Sequence, residues 1–217
     1  MGLIESVLHA APVIPVVVID DAACAVPLAR ALVAGGVPAI EVTLRTPAAL
    51  AAVRAIAQEV EGAIVGVGTV RRPQDLLDAK QAGACFAVSP GATPALLSAA
   101  KDIALPWLPG AATASEVMAL AEQGFLYQKF FPAEAAGGVA ALRALHGPLP
   151  EVRFCATGGI GAHNARNYLA TPNVACVGGS WLTPSHLVAA GEWEAIEALA
   201  RAAATRAPMP ERNASFV

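Results

Sequence analysis

Lys129 is the residue of this sequence that is hardest to account for without chemistry. The chain has three lysines, and Lys80 and Lys101 fall near the ends of helix-like stretches, on their polar sides. Lys129 instead lies inside Tyr127-Gln128-Lys129-Phe130-Phe131-Pro132, a strand-like run. A lysine fits there if it points into a cavity, or else snorkels past the strand end to water. Burial among apolar rings and a nearby guanidinium at Arg45 would both disfavour the ammonium, and a neutral amine is a nucleophile toward carbonyl carbon.

A second group accompanies it. Alternate residues of a strand share a face, so Ala39, Glu41, Thr43 and Arg45 point one way while Ile40, Val42 and Leu44 point the other. The first set stacks a carboxylate, a hydroxyl and a guanidinium where charge must be paired or functional. The alternative is a structural ion pair between Glu41 and Arg45 or a neighbour. Gly66-Val67-Gly68-Thr69 ends another strand-like run, and Thr69 can bind an anion beside Arg45 or cap the turn before Arg71-Arg72-Pro73. Two glycine-rich turns follow late strands: Thr157-Gly158-Gly159-Ile160-Gly161 and Gly178-Gly179-Ser180. They read as a phosphate cradle of backbone N–H groups, or as plain tight turns.

These residues must be carried by a repeating scaffold. A short β-like run followed by a helix-period stretch recurs eight times, with strands expected at Val13–Ile19, Ala39–Leu44, Ile64–Gly68, Phe86–Ser89, Leu105–Leu108, Tyr127–Phe130, Arg153–Ala156 and Val174–Gly178. Thr93-Pro94 and Thr113-Ala114-Ser115-Glu116 mark helix starts, and Gly35-Gly36, Gly83, Gly124 and Gly147 mark helix ends. Eight βα units without a composition break predict an α/β fold: a single (β/α)8 TIM barrel over 1–217, with a short N-terminal helix within 1–12 and a flexible tail at 207–217. An open doubly wound sheet is the rival, but no Gly-x-Gly-x-x-Gly follows the first strand.

Composition narrows the partners. Of 217 residues 56% are hydrophobic and 14% charged, against about 25% charged in an average soluble domain. Disorder is excluded, and no apolar run reaches the roughly 18 residues of a membrane span. The net charge of −3, with 14 Lys and Arg scattered singly, offers no face for a nucleic acid. Four cysteines without a Cys-x-x-Cys fit a reducing cytoplasm, and the four histidines lack ligand spacing, so no metal is called for. The cysteines, Trp181 and Trp193 read as packing residues, and the scarcity of charge suggests self-association.

Taken together, Glu41-Val42-Thr43-Leu44-Arg45-Thr46, Val67-Gly68-Thr69, Ser89-Pro90-Gly91, Lys129-Phe130-Phe131-Pro132-Ala133-Glu134, Phe154-Cys155-Ala156-Thr157-Gly158-Gly159-Ile160 and Gly178-Gly179-Ser180-Trp181 closely resemble the 2-keto-3-deoxy-6-phosphogluconate (KDPG) and 4-hydroxy-2-oxoglutarate aldolases. The resemblance runs from about Leu3 to Trp193. It implies a cofactor-free class I aldolase, a homotrimer, that splits KDPG into pyruvate and glyceraldehyde 3-phosphate in the Entner–Doudoroff pathway, with 4-hydroxy-2-oxoglutarate as a further candidate substrate. Carried over, the Schiff-base lysine is Lys129 and the proton shuttle Glu41. The pyruvate carboxylate falls to Arg45 and Thr69, the pyruvyl pocket to Pro90 and Phe131, and the C4 hydroxyl to Thr157. The phosphate falls to Gly158, Gly159, Gly179 and Ser180. Two positions depart from the pattern. Ala156 replaces a usual proline, which should loosen its turn, and Gly161 replaces a common serine, which should forfeit a capping hydroxyl. An aldolase for the galactonate epimer shares the pyruvyl half, and an isomerase-type barrel or plain phosphate binder would need no Lys129.

Overall fold

Short Val- and Ile-rich strands, buried on both faces, alternate with Ala- and Leu-rich helices in the computed structural model, which describes residues 3–205. The tail expected at 207–217 lies outside the described residues. In chain order the elements are α1 (Leu3–Leu8), β1 (Val13–Val17), a 3₁₀ turn (Ala22–Cys24), α2 (Ala25–Ala34), β2 (Ala39–Thr43), α3 (Ala49–Glu59), β3 (Ile64–Gly68), α4 (Pro73–Gln81), β4 (Phe86–Val88) and α5 (Pro94–Ile103). They continue as β5 (Trp107–Leu108), β6 (Gly110–Ala111), α6 (Ala114–Glu122), β7 (Tyr127–Phe130), α7 (Gly138–His146), β8 (Arg153–Thr157), α8 (Ala165–Leu169), β9 (Val174–Gly179), α9 (Ser185–Ala190) and α10 (Trp193–Thr205).

All strand pairs are parallel, in the order β5-β4-β3-β2-β1-β9-β8-β7-β6. The two ends of that order, β5 and β6, are consecutive in the chain, so the sheet closes into a barrel. The fifth expected strand, Leu105–Leu108, is thus corrected: it begins at Trp107 and resumes after Pro109. Proline has no N–H for the ladder, but its carbonyl accepts from Lys129 N at 2.8 Å, which ties the broken stave to β7. Gly110 lies against Pro90, where a Cβ would be 2.4 Å from the carbonyl carbon and oxygen.

Alternation separates two cores. Ile40, Val42, Val65, Val67 and Phe154 face the helices, whereas Ile14, Ala39, Phe86, Val88, Leu108, Cys155 and Cys176 fill the barrel, closed at its floor by Val7 and Leu8 of α1. Tyr127 joins this inner cluster, and burial, followed by a hydrogen bond and charge from Glu5 of α1, pushes its phenol up to about 12.

The expected helix signals are present at most ends. Thr93 accepts from Leu96 N at 3.3 Å, and Thr113 with Glu116 forms a reciprocal capping box. Gly36, Gly83 and Gly124 have φ between +85° and +87°. Gly147 does not: its φ of −59° is helical. Unforeseen was a carboxylate cap at the start of α4, where buried Asp75 accepts from the N–H groups of Arg71 (2.9 Å) and Arg72 (3.0 Å) and pairs with the Arg72 guanidinium at 2.8 Å. Burial raises the Asp75 pKa, but these donors outweigh it and hold the carboxyl below its ordinary value.

Asp75→Ala should therefore destabilise the protein by about 1–2 kcal/mol at neutral pH. A lowered folded-state pKa means that the stabilisation is complete above the unfolded value of about 3.9 and lost as pH falls through the folded one. Thermal melts of both proteins should show a Tm gap at pH 7 that narrows at pH 3; an equal gap at both would place the effect elsewhere.

Candidate active site

An ammonium and a carboxylate meet inside the barrel. Lys129 of β7 and Glu41 of β2 are 5% and 2% exposed, with Nζ 3.3 Å from Oε1. Glu41 thus pairs with Lys129 and not with Arg45. The room for its carboxylate comes from Gly68, where a Cβ would sit 2.1 Å from Oε1. Gly66 makes similar room for the Phe86 ring, and Gly178 for the Thr157 hydroxyl. The glycines of β3 thus admit side chains from neighbouring strands.

Around the amine, the Phe131 ring centroid lies 5.2 Å from Nζ. Cys155, in register with Lys129, and Cys176 of β9 complete the buried surroundings, and Cys155 Sγ is 3.8 Å from Thr157 Oγ1. A hydrogen bond with Cys155, together with burial, pushes the Cys176 thiol well up, so it stays protonated. These two cysteines were expected as mere core. Cys85 is exposed, and so is not a core residue at all.

At the C-terminal ends of β2 and β3, exposed Arg45 donates from Nε to Thr69 Oγ1 at 3.3 Å. Thr69 has φ +62°, an unfavourable conformation for a β-branched residue and one that marks a position held by its surroundings. Thr43, by contrast, donates its hydroxyl to Val17 O at 3.0 Å, inside the wall. Pro90, half-buried, follows β4.

Past β8, Gly158 and Gly159 have φ of +107° and +75°. Their N–H groups, and that of Ser180 after β9, have no acceptor among the described residues. Gly161 N donates to Asn164 Oδ1 at 2.8 Å, and Asn164 Nδ2 donates to Gly159 O at 3.1 Å. Asn164 thus ties back to the turn at Gly159 and Gly161, whereas α8, which begins beyond it, has no side-chain cap hydrogen bond. Ala156 is no turn residue either: it lies within β8, in register with Phe130 and Val177. Gly179 is covered by Trp181, whose ring would be 1.8 Å from a Cβ there, so this tryptophan packs over the turn. Lys80 and Lys101, by comparison, bond outward to Ile103 O and Gln123 Oε1.

Among the described residues no cluster of three or more His, Cys, Asp or Glu could hold a metal, and no helix is long and apolar enough to cross a membrane. The arrangement offers a buried amine within hydrogen-bond reach of a carboxylate, with cationic and backbone donors on opposite sides of the mouth.

Comparison with known proteins gives one answer. Residues 4–199 match the model of the KDPG and KHG aldolase family. The KHG/KDPG aldolase of Escherichia coli (strain K12) is 54% identical over 92% of this chain and 93% of its own. Among solved structures, the KDPG aldolase from Legionella pneumophila, with pyruvate captured at low pH as a covalent carbinolamine, is 44% identical with a TM-score of 0.91, over 94% of this chain and 99% of that one. The Zymomonas mobilis ZM4 aldolase with 3-phosphoglycerate is 47% identical with a TM-score of 0.87, over 93% and 95%. With an amine and a carboxylate paired inside a parallel barrel and these matches along nearly its whole length, the chain belongs to the KDPG and KHG aldolase family.

Proposed function

We propose that the protein is a class I aldolase that cleaves 2-keto-3-deoxy-6-phosphogluconate to pyruvate and glyceraldehyde 3-phosphate, the cleavage step of the Entner–Doudoroff pathway, and that it also acts on 4-hydroxy-2-oxoglutarate. The observation that carries this reading is the buried Lys129–Glu41 pair at 3.3 Å. Lys129, once it has passed its proton to Glu41, attacks the C2 ketone, and loss of water from the carbinolamine leaves a protonated imine. The imine accepts the electron pair released when C3–C4 breaks. Glu41 relays protons during dehydration, takes the proton of the C4 hydroxyl through water, and returns one to C3 of the enamine.

The remaining residues orient the substrate. Arg45 and Thr69 hold the carboxylate, Phe131 and Pro90 line the pyruvyl group, and Thr157 bonds the C4 hydroxyl, so the C3–C4 bond is aligned with the imine π system. The N–H groups of Gly158, Gly159 and Ser180 take the phosphate, with Gly179 under Trp181 shaping the turn. Their free donors support this role.

We also assign the enzyme to the cytoplasm as a homotrimer, a reading supported by exposed Leu77 on α4 and Met118 on α6 in a chain poor in charge. Sedimentation at micromolar concentration should give about three times the 21.9 kDa chain mass.

Pyruvate with borohydride should inactivate the enzyme and add the mass of a reduced pyruvyl imine to the peptide containing Lys129, with chelators having no effect. Label confined to Lys80 or Lys101, or activity lost to a chelator and restored by a divalent metal, would overturn the class I assignment.

Glu41→Gln fills the same volume but cannot act as a base. Exchange of the pyruvate methyl protons into deuterated water should slow by roughly 100-fold or more while pyruvate still binds. Near-normal exchange in this variant would remove Glu41 from the mechanism.

A further inference from the structure

A brace of two side chains joins the loop after Lys129 to the turn after β8, and neither has a part in the chemistry above. Tyr168, on α8, is 1% exposed, and its hydroxyl donates to Oε1 of Glu134. Glu134 is exposed and lies in the loop that follows β7. Its N–H donates to Gly158 O at 3.1 Å, beside the bond from Ala133 N to Thr157 O at 2.8 Å. Its side chain covers Gly159 so closely that a Cβ there would sit 2.6 Å from Cγ. Gly158 in turn abuts the same loop, where a Cβ would lie 3.1 Å from Pro132 Cα and 3.4 Å from the Phe131 ring. Burial, followed by the bond to Glu134, holds the Tyr168 phenol well above its ordinary range, so it remains a donor throughout the working pH range.

We propose that Tyr168 and Glu134 are positioning residues for the phosphate end of the substrate: the phenol clamps Glu134 across Gly159 and so fixes where the Gly158 and Gly159 N–H groups point relative to the imine loop. The inference rests on the assignment of those N–H groups to phosphate in the function proposed above. Two effects act in the same direction. The clamp limits rocking of a turn whose two glycines both occupy positive φ, a conformation with little side-chain restraint of its own. It also tethers an exposed carboxylate that, if released, could swing toward an arriving phosphate and repel it.

The test compares KDPG with unphosphorylated 4-hydroxy-2-oxoglutarate. Tyr168→Phe keeps the buried ring and loses the bond, so KM for KDPG should rise roughly tenfold while kcat stays within about twofold. KM for 4-hydroxy-2-oxoglutarate and borohydride trapping of pyruvate should be unchanged. Glu134→Ala removes the brace from its exposed side without touching the core and should give a smaller KDPG-selective rise, since the clamp is lost but no carboxylate is released. Glu134→Gln retains an acceptor for the phenol and should keep KM for KDPG within about threefold of wild type. Equal effects of Tyr168→Phe and Glu134→Ala on both substrates, or none on either, would overturn the proposal. A wild-type protein that neither cleaves KDPG nor traps pyruvate would instead overturn the function on which it rests.

Discussion

An amine and a carboxylate 3.3 Å apart inside a barrel persist because each offsets the other's loss of water. An unpaired ion there would cost several kcal/mol, and removing either partner from such a pair typically costs about 3–5 kcal/mol. Much of the barrel interior follows from this constraint. Gly68 is small because the Glu41 carboxylate occupies the space of its side chain, and Gly178 is small because Thr157 does the same. The floor beneath is apolar, with Ile14, Ala39 and Phe86 packed against α1, so water reaches the pair from the mouth alone. Of the two cysteines beside it, Cys176 has its thiol pushed well up by the hydrogen bond with Cys155 and by burial, while the same hydrogen bond lowers that of Cys155.

The two ends of the site are built from different materials. At the mouth of β2 and β3 the donors are side chains, Arg45 and Thr69, and Thr69 is held at φ +62° to stand there. Past β8 and β9 the donors are backbone N–H groups exposed by Gly158 and Gly159 at positive φ, with Trp181 laid over Gly179. A guanidinium fork suits a planar carboxylate, whereas an arc of N–H groups suits a tetrahedral anion approached from several directions. Neither end needs a long loop, in keeping with a chain that spends few residues outside its βα units.

Much of this was legible in the sequence because strand alternation and residue scarcity are strong signals. A lysine inside a strand-like run, and Glu41 two positions from Thr43 on the same face, needed only the period of two to be placed in the barrel. Seven of the eight expected staves lie where the pattern put them; the fifth was displaced because Pro109 interrupts its ladder while the chain still continues the sheet. What escaped notice depends on contacts between residues distant in sequence. Glu41 could have paired with Arg45 four residues on, and the choice of Lys129, 88 residues on, is made by the closure of the barrel. The place of Trp181 over Gly179, and of Asn164 across the turn at Gly161, likewise follows from how the turns fold back, which no local pattern encodes. Gly147 ends α7 as its C-cap without the left-handed φ, because glycine permits positive φ without demanding it.

Sheet order explains why the site tolerates such short elements. The strand carrying Lys129 is followed in the sheet by β8 and then β9, so the amine and both glycine turns lie along one side of the barrel. Neighbouring parallel strands are about 4.8 Å apart, and their hydrogen bonds keep that spacing fixed. The distance from Lys129 on β7 to the turns beyond β8 and β9 is therefore set by ladder geometry, with little dependence on helix packing. Glu41, on β2, is the exception. It reaches Lys129 through the barrel interior from a strand that is not its neighbour, so the spacing of this one pair depends on the whole barrel being closed. Closure in turn runs through the split stave, where β5 bonds to β4 and β6 to β7 on either side of Pro109. The carbonyl of Pro109 accepts from the backbone N–H of Lys129 itself, so the break in the stave and the buried lysine meet at one residue of β7.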